Sequence, residues 1–123
     1  MDAELKTKWL DQLISGNYQQ GKGKLRQIDA EGKETYCCLG VLCEVAGLEG
    51  KPSTALVRGK DGAFQHETYY NYIYDDQSDD SLLPLGFQNE CGISGYDLEH
   101  LIDMNDSDGQ NFFQIAEWVN EHL

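Results

Sequence analysis

The sequence predicts an α+β fold: a single domain over residues 1–123, with about four helices packed on a small, mainly antiparallel sheet. Three observations carry this. The run Tyr36 to Ala46 is apolar at helical spacing. Amphipathic helical patterns lie at both ends of the chain. Between them, short segments of alternating polarity are separated by Gly- and Asp-rich turns, the pattern of hairpin strands. Helices and strands of this kind bury their apolar faces against one another as layers.

The central run is the longest apolar stretch. Cys38, Val41, Leu42 and Val45 fall at i, i+3, i+4 and i+7, and Leu39, Cys43 and Ala46 line the adjacent face. Only Glu44 is charged. A helix apolar around most of its circumference is a buried one, and Gly47 supplies its stop. Residues 3–15 form an amphipathic helix with Leu5, Trp9 and Leu13 as its stripe, ended by Gly16. Residues 97–105 form a short helix with Leu98, Leu101 and Ile102 inward. Residues 111–122 form the last helix, with Phe112, Ile115, Ala116 and Val119 inward and Asp108 or Asn111 as its cap.

Residues 24–28 alternate as a strand, Asp29 to Gly32 turn, and residues 33–36 return. A loop holding Gly50 and Pro52 covers residues 48–54, followed by a short strand at 55–58 and a turn at Gly59 to Gly62. The tyrosine-rich segment 63–74 is a further strand, with Tyr70, Tyr72 and Tyr74 on one face. Residues 75–81 are expected as an exposed acidic loop. Residues 82–87 are expected as an irregular segment, because Pro84 and Gly86 interrupt them.

The net charge of −13 is unevenly placed. Residues 1–60 hold all nine Lys and Arg with eight acids, a balance of +1, whereas residues 61–123 hold fourteen acids and no Lys or Arg. Aromatic and aliphatic residues are threaded through this second half, so it belongs to a folded domain and not to a disordered tail. Such a field opposes direct nucleic-acid binding and adhesion to anionic membranes, and favours basic protein partners. No apolar run has the ~18 residues a membrane span needs, and the acidic start, Met1-Asp2-Ala3-Glu4, is not a secretion signal. A cytoplasmic protein with reduced cysteines is therefore expected.

Several chemistries fail on spacing. Cys37, Cys38, Cys43 and Cys91 lack a zinc pattern, and three of these thiols lie in the apolar helix, the wrong setting for a nucleophile. Asp103, Asn105, Asp106 and Asp108 fail the calcium-loop rule, which needs Gly at position 6 and Glu at position 12. No nucleophile elbow is present. Neither a metal nor a cofactor is expected, and a small hydrolase is the least favoured reading.

Two constellations remain. The first is the only local basic cluster, Gly21-Lys22-Gly23-Lys24 with Arg26, flanked by Tyr18 and Gln20. Glycine amides and cations together suit a small anionic ligand such as a nucleotide, although the Walker spacing is absent. Its structural alternative is an ordinary lead-in to a hairpin. The second is the acidic surface centred on Asp75, Asp76, Asp79 and Asp80, which would imitate DNA phosphates and dock on a basic groove. Its alternative is a solvated loop. The apolar stripe of the first or last helix leaves a dimer open.

The stretches Trp9-Leu10 through Ser15-Gly16, Tyr18-x-Gln20-Gly21, Tyr36-Cys37-Cys38-Leu39-Gly40-Val41-Leu42-Cys43 and Met104-Asn105-Asp106, with Gly109, Phe112, Ile115 and Ala116, resemble a family of small, mostly uncharacterised proteins of bacteriophages and prophages. The resemblance covers both ends and the core, while residues 48–93 diverge. It implies a phage context inside a host bacterium and no particular activity. With it, the expected function is a non-enzymatic accessory protein that inhibits a host factor with a basic surface. The alternative is a protein that sequesters a nucleotide signal used in host defence.

Overall fold

The computed structural model describes all 123 residues. It is α+β, with five helices, one more than expected, and an antiparallel sheet of five strands. In chain order these are α1 (Ala3–Ile14), β1 (Arg26–Ile28), β2 (Glu34–Tyr36), α2 (Cys38–Val45), β3 (Glu49–Arg58), β4 (Phe64–Tyr74), β5 (Gln77–Asp79), α3 (Leu85–Cys91), α4 (Gly95–Asp106) and α5 (Phe112–His122). The strand order is β2-β1-β4-β3, and β5 pairs with β4.

The central run forms α2 as expected, with Cys38 to Cys43 all buried. It is surrounded by other elements. Trp9 of α1 is sealed from solvent, and its indole Nε1 donates to the Cys38 carbonyl at 2.9 Å. The Cys37 amide donates to the Leu25 carbonyl at 3.3 Å, which fixes the start of α2 on the residue preceding β1. Gly40 makes that approach possible, because a Cβ there would collide with the Leu25 carbonyl oxygen. On the other strand layer, Tyr72 is fully buried, with Tyr70 and Tyr74 beside it against the core.

The helix ends follow their sequence signals. Asp2 caps α1 by accepting from the Leu5 amide, and Ser94 caps α4 by accepting from the Asp97 amide. Asn111 and Gln114 form a reciprocal capping box at α5, so Asn111 and not Asp108 is the cap.

Three expectations are corrected. Residues 49–54 are strand, so β3 is ten residues long. The glycine and proline are tolerated there for identifiable reasons. Gly50 lies against the Tyr72 ring, where a side chain would crowd it, and Pro52 sits on an edge strand, where its missing N–H breaks no ladder. Residues 77–79 fold back as β5 after a turn in which Asp75 takes φ +55°, so the acidic stretch is a tight hairpin. Residues 85–91 are a helix. Pro84 sits at its N-cap, where no N–H is required. Gly92 ends it at φ +76°, with the Gly92 and Ile93 amides both donating to the Gln88 carbonyl.

Two of the three helical glycines, Gly40 and Gly95, should respond oppositely to Ala. Gly40→Ala is expected to lose about 3–4 kcal/mol, because the clash is with backbone. Gly95→Ala, at the open first turn of α4, is expected to gain about 0.4–1 kcal/mol. Urea unfolding of both variants checks the pair.

Candidate functional site

The structure divides the basic cluster. The Gly21 amide donates to the Tyr36 carbonyl at 2.8 Å, and a Cβ at Gly21 would run into Thr35. This glycine therefore provides clearance for a neighbouring chain. Gly23, at φ +83°, donates its amide to the Asp106 carboxylate at 3.1 Å. Lys24 pairs with Asp80 at 3.1 Å and lies 4.8 Å over the Tyr69 ring. Arg26 pairs with Glu34 at 2.9 Å and lies 3.9 Å over the Tyr70 ring. Tyr69 and Tyr70 are consecutive strand residues and face opposite sides of the sheet, so Lys24 and Arg26 are on opposite sides too. Lys22 is exposed and has no ion-pair partner.

Tyr18 and Arg26 do come together. Tyr18 meets Tyr36 edge-on at 4.9 Å, and Arg26 lies 5.5 Å over the same Tyr36 ring. Burial raises the Tyr18, Tyr36 and Tyr72 hydroxyls above the ordinary phenol value, and nearby Glu44 adds to this. Burial also works against the charge on Arg26, but its bond to Glu34 keeps the guanidinium firmly protonated. Two atoms of this cluster, Arg26 Nε and the Tyr72 hydroxyl, are buried without a hydrogen-bond partner.

Gln20 belongs to a different group, centred on Asn105, a residue the sequence reading did not place in the core. Asn105 is the one buried polar residue with a side-chain amide, 1% exposed. Its Oδ1 accepts from Gln20 Nε2 at 2.9 Å and from the Cys38 amide at 3.3 Å. Its Nδ2 donates to the Gly21 carbonyl and to Asp106 Oδ1, both at 2.8 Å. Gln20 Nε2 also donates to the Gln110 carbonyl at 2.8 Å. A signal for this was present: Leu98, Leu101 and Asn105 fall at i, i+3 and i+7, which puts an amide on an apolar stripe. Such an amide must find partners inside.

The four acids of the expected docking surface divide as well. Asp75 and Asp76 are exposed at the β4–β5 turn. Asp79 Oδ1 accepts from the Ser81 and Leu82 amides at 2.9 and 3.0 Å, so it shapes the chain after β5. Asp80 is held by Ser81 and Lys24; partial burial opposes its charge, yet these bonds bring its carboxyl below the usual range.

The larger uncompensated surface is on α4 and α5. Only Glu4, Glu34 and Asp80 of the 22 acids have an ion-pair partner. On α4, Tyr96, Glu99 and Asp103 fall at i, i+3 and i+7 and with His100 line a shallow depression. Tyr96 is 81% exposed. His100 packs on Trp118 of α5 at 4.9 Å, and Trp118 stacks on His122 at 4.6 Å. Exposed Glu117 and Glu121 flank these rings along α5.

All four cysteines are buried and unpaired by disulfides. Burial raises every thiol: Cys37 to about 11, Cys38 and Cys43 well above the ordinary value, and Cys91 less. No three His, Cys, Asp or Glu side chains converge as metal ligands. No helix is long and apolar enough to cross a membrane.

A family model described as a domain of unknown function, DUF8296, matches residues 1–123. The chain belongs to this family. No curated protein and no solved structure matches it. In this chain, the four stretches behind the phage resemblance meet around α2: Trp9 and Asn105 both bond to Cys38, and Gln20 and Gly21 bond to Asn105. These residues hold the fold together.

Three measurements test these roles. Asn105→Leu should lose about 3 kcal/mol, because it strands the Gly21 carbonyl and the Cys38 amide; chemical denaturation measures it. The thiols should resist Ellman's reagent at pH 8 until the protein unfolds. Their raised values also fix the alkaline limit. Above the ordinary thiol value of 9.0 the unfolded chain loses protons that the native state keeps, so stability falls as pH rises. Cys37 alone should lower it by about 2 kcal/mol between pH 9 and pH 11, readable as a declining urea midpoint.

Proposed function

We propose that this chain is a non-catalytic accessory protein that docks on the basic surface of a partner protein and blocks it. The docking surface is the acidic face of α4 and α5, with Tyr96 and Trp118 as aromatic anchors and Asp75 and Asp76 as additional charge. The observation that carries this is Tyr96, 81% exposed on a helix face shared with Glu99 and Asp103. Residues 61–123 contain no Lys or Arg; Lys6 of α1 reaches the end of α5, donating to the Asn120 carbonyl at 3.2 Å, and leaves Glu99 and Asp103 of α4 without an ion-pair partner. Tyr and Trp dominate interface energetics, because they bury large area with few rotatable bonds. Surrounding acids steer a basic partner and reject a nucleic acid. The resemblance to phage proteins supports a host factor in the bacterial cytoplasm as the partner, with defence proteins the class to test first.

A second reading is supported by the unpartnered Arg26 Nε and Tyr72 hydroxyl near Tyr18. There a small anionic ligand would have to displace Glu34 from Arg26. Lys22, Lys24, Gly21 and Gly23 would contribute little, since three of the four already serve the fold. Native mass spectrometry of protein recovered from cells separates the readings. A retained mass of a few hundred daltons, lost in Arg26→Gln, favours the ligand.

The docking reading is tested with immobilised protein and host lysate, followed by cross-linking and mass spectrometry. Capture should weaken at least about tenfold in Tyr96→Ser/Glu99→Gln/Asp103→Asn and should be salt-sensitive. Cross-links should fall on α4 and α5. Asp79 and Asp80 are left intact, because they shape the backbone. Equal capture by the triple variant, or cross-links confined to other elements, overturns the reading.

A further inference from the structure

The outer half of the β3–β4 hairpin has no third strand. β1 pairs with β4 only at Thr68 and Tyr69, and β5 only at Tyr72 to Tyr74. Residues 55–58 and 64–67 therefore form a two-stranded ribbon, which is marginal in water without further packing. Two of its apolar side chains are uncovered, Leu56 at 60% exposed and Phe64 at 63%, while Ala55 and Val57 are half-buried. Register places them on one face, with His66 opposite Leu56 and Arg58 opposite Phe64, and the Arg58 guanidinium lies 4.9 Å over the Phe64 ring.

The free edge of β3 can be oriented atom by atom. The Gly59 amide donates to the Ala63 carbonyl at 2.7 Å, continuing the ladder register in which Arg58 faces Phe64. In an antiparallel pair, backbone groups point alternately toward and away from the neighbour. Val57, Ala55, Ser53 and Lys51 therefore bond to β4. The N–H and C=O groups of Thr54, Leu56 and Arg58 point outward, and Pro52 is the outward position with no N–H to leave unpaired. Lys51 and Pro52 guard the inner half of this edge. Ser53 to Val57 has no charge, no proline and no covering element.

We propose that this edge is a dimer interface, formed by antiparallel pairing of β3 with β3 of a second copy, centred on Ala55. Charge selects the occupant. Residues 49–67 hold Lys51, Arg58 and Lys60 against Glu49, Asp61 and Glu67, a neutral balance, so the remainder of the chain carries the whole −13. Two copies that meet elsewhere on the acidic surface bring carboxylates together; along the ribbon they do not. The Ala55 register also keeps like charges apart within the paired strands. It sets Thr54 opposite the partner's Leu56, Ser53 opposite the partner's Val57, and Arg58 opposite the partner's Pro52. Outward groups then meet outward groups, and the pairing closes as a two-fold, isologous contact. Strand pairing buries less than a standard interface of ~1,600 Å², so dissociation in the micromolar range is expected.

Sedimentation over roughly 1 µM to 1 mM tests this. The wild-type chain should shift from 13.9 kDa to twice that mass. Leu56→Lys and Thr54→Pro should stay monomeric over the same range, with unchanged circular dichroism. In the non-hydrogen-bonded Ala55 pair the two Cα atoms would be ~4.5 Å apart, within disulfide reach. Ala55→Cys should therefore cross-link to a dimer on oxidation with diamide, the four native thiols being buried, while Lys51→Cys should not. A wild-type chain that is monomeric throughout overturns the proposal. So does a dimer that survives both edge variants, or one in which Ala55→Cys fails to cross-link.

Discussion

A primary amide sealed from water has two donors and a carbonyl to satisfy, and Asn105 satisfies them with three groups from distant parts of the chain and one from the residue that follows it. Gly21 and Gln20 come from the loop after α1, the Cys38 amide from the first turn of α2, and Asp106 from the end of α4. Each unmade bond at such a site costs on the order of 1–3 kcal/mol, so the arrangement is all-or-none. It also decides how the Gly-Lys-Gly-Lys loop lies. With Gly21 held at its carbonyl and Gly23 donating to Asp106, the loop is drawn against the end of α4, and its two glycine amides are consumed within the fold. A segment that resembles an anion cradle in sequence thereby becomes a brace in three dimensions.

The elements most legible in the sequence were those whose burial follows a single period. α1, α2 and α5 carry their apolar stripes at helical spacing, and β4 puts Tyr70, Tyr72 and Tyr74 on one face. The illegible elements depended on neighbours that sequence does not display. β3 contains Gly50 and Pro52, which disfavour a strand locally. It is a strand because the Tyr72 ring fills the space beside the glycine and because the proline lies on an outer edge. Likewise α3 looks broken by Pro84 and Gly86, but the proline occupies the N-cap and Gly92, not Gly86, ends the helix. Of the candidate sites, the acidic imbalance was legible as a sum. Its distribution was not, because hydrogen bonding within the chain draws Asp79 and Asp80 partly into the fold, while Asp75, Asp76, Tyr96, Glu99 and Asp103 stay exposed.

The cysteines illustrate the same separation of residue type from role. Their number and adjacency invite metal or redox chemistry, but the environment opposes both. Burial in an apolar layer disfavours the thiolate, the form that ligates metals and attacks electrophiles. Cys38 is engaged through its backbone, accepting from Trp9 and donating to Asn105, and its Sγ lies 3.8 Å from the Leu101 carbonyl. A small, weakly polar side chain fits that close packing between α2 and α4, where a branched residue would add volume.

The partition of charge bears on both proposals. At physiological salt, exposed charges interact over about 8 Å. The body of one copy therefore repels the body of another at close approach, while a neutral ribbon beyond the helical layer escapes most of that repulsion. Pairing through ribbons would leave the acidic faces of α4 and α5 unspent for a different, basic partner, and would present two such faces in one particle. Linked sites bind with an effective concentration set by their separation, so a weak monovalent contact through Tyr96 and its acids would gain most against a partner that is itself dimeric or repetitive. The two surfaces differ in the physics each requires: long-range attraction with aromatic anchors for a foreign basic surface, and backbone complementarity without net charge for a second copy.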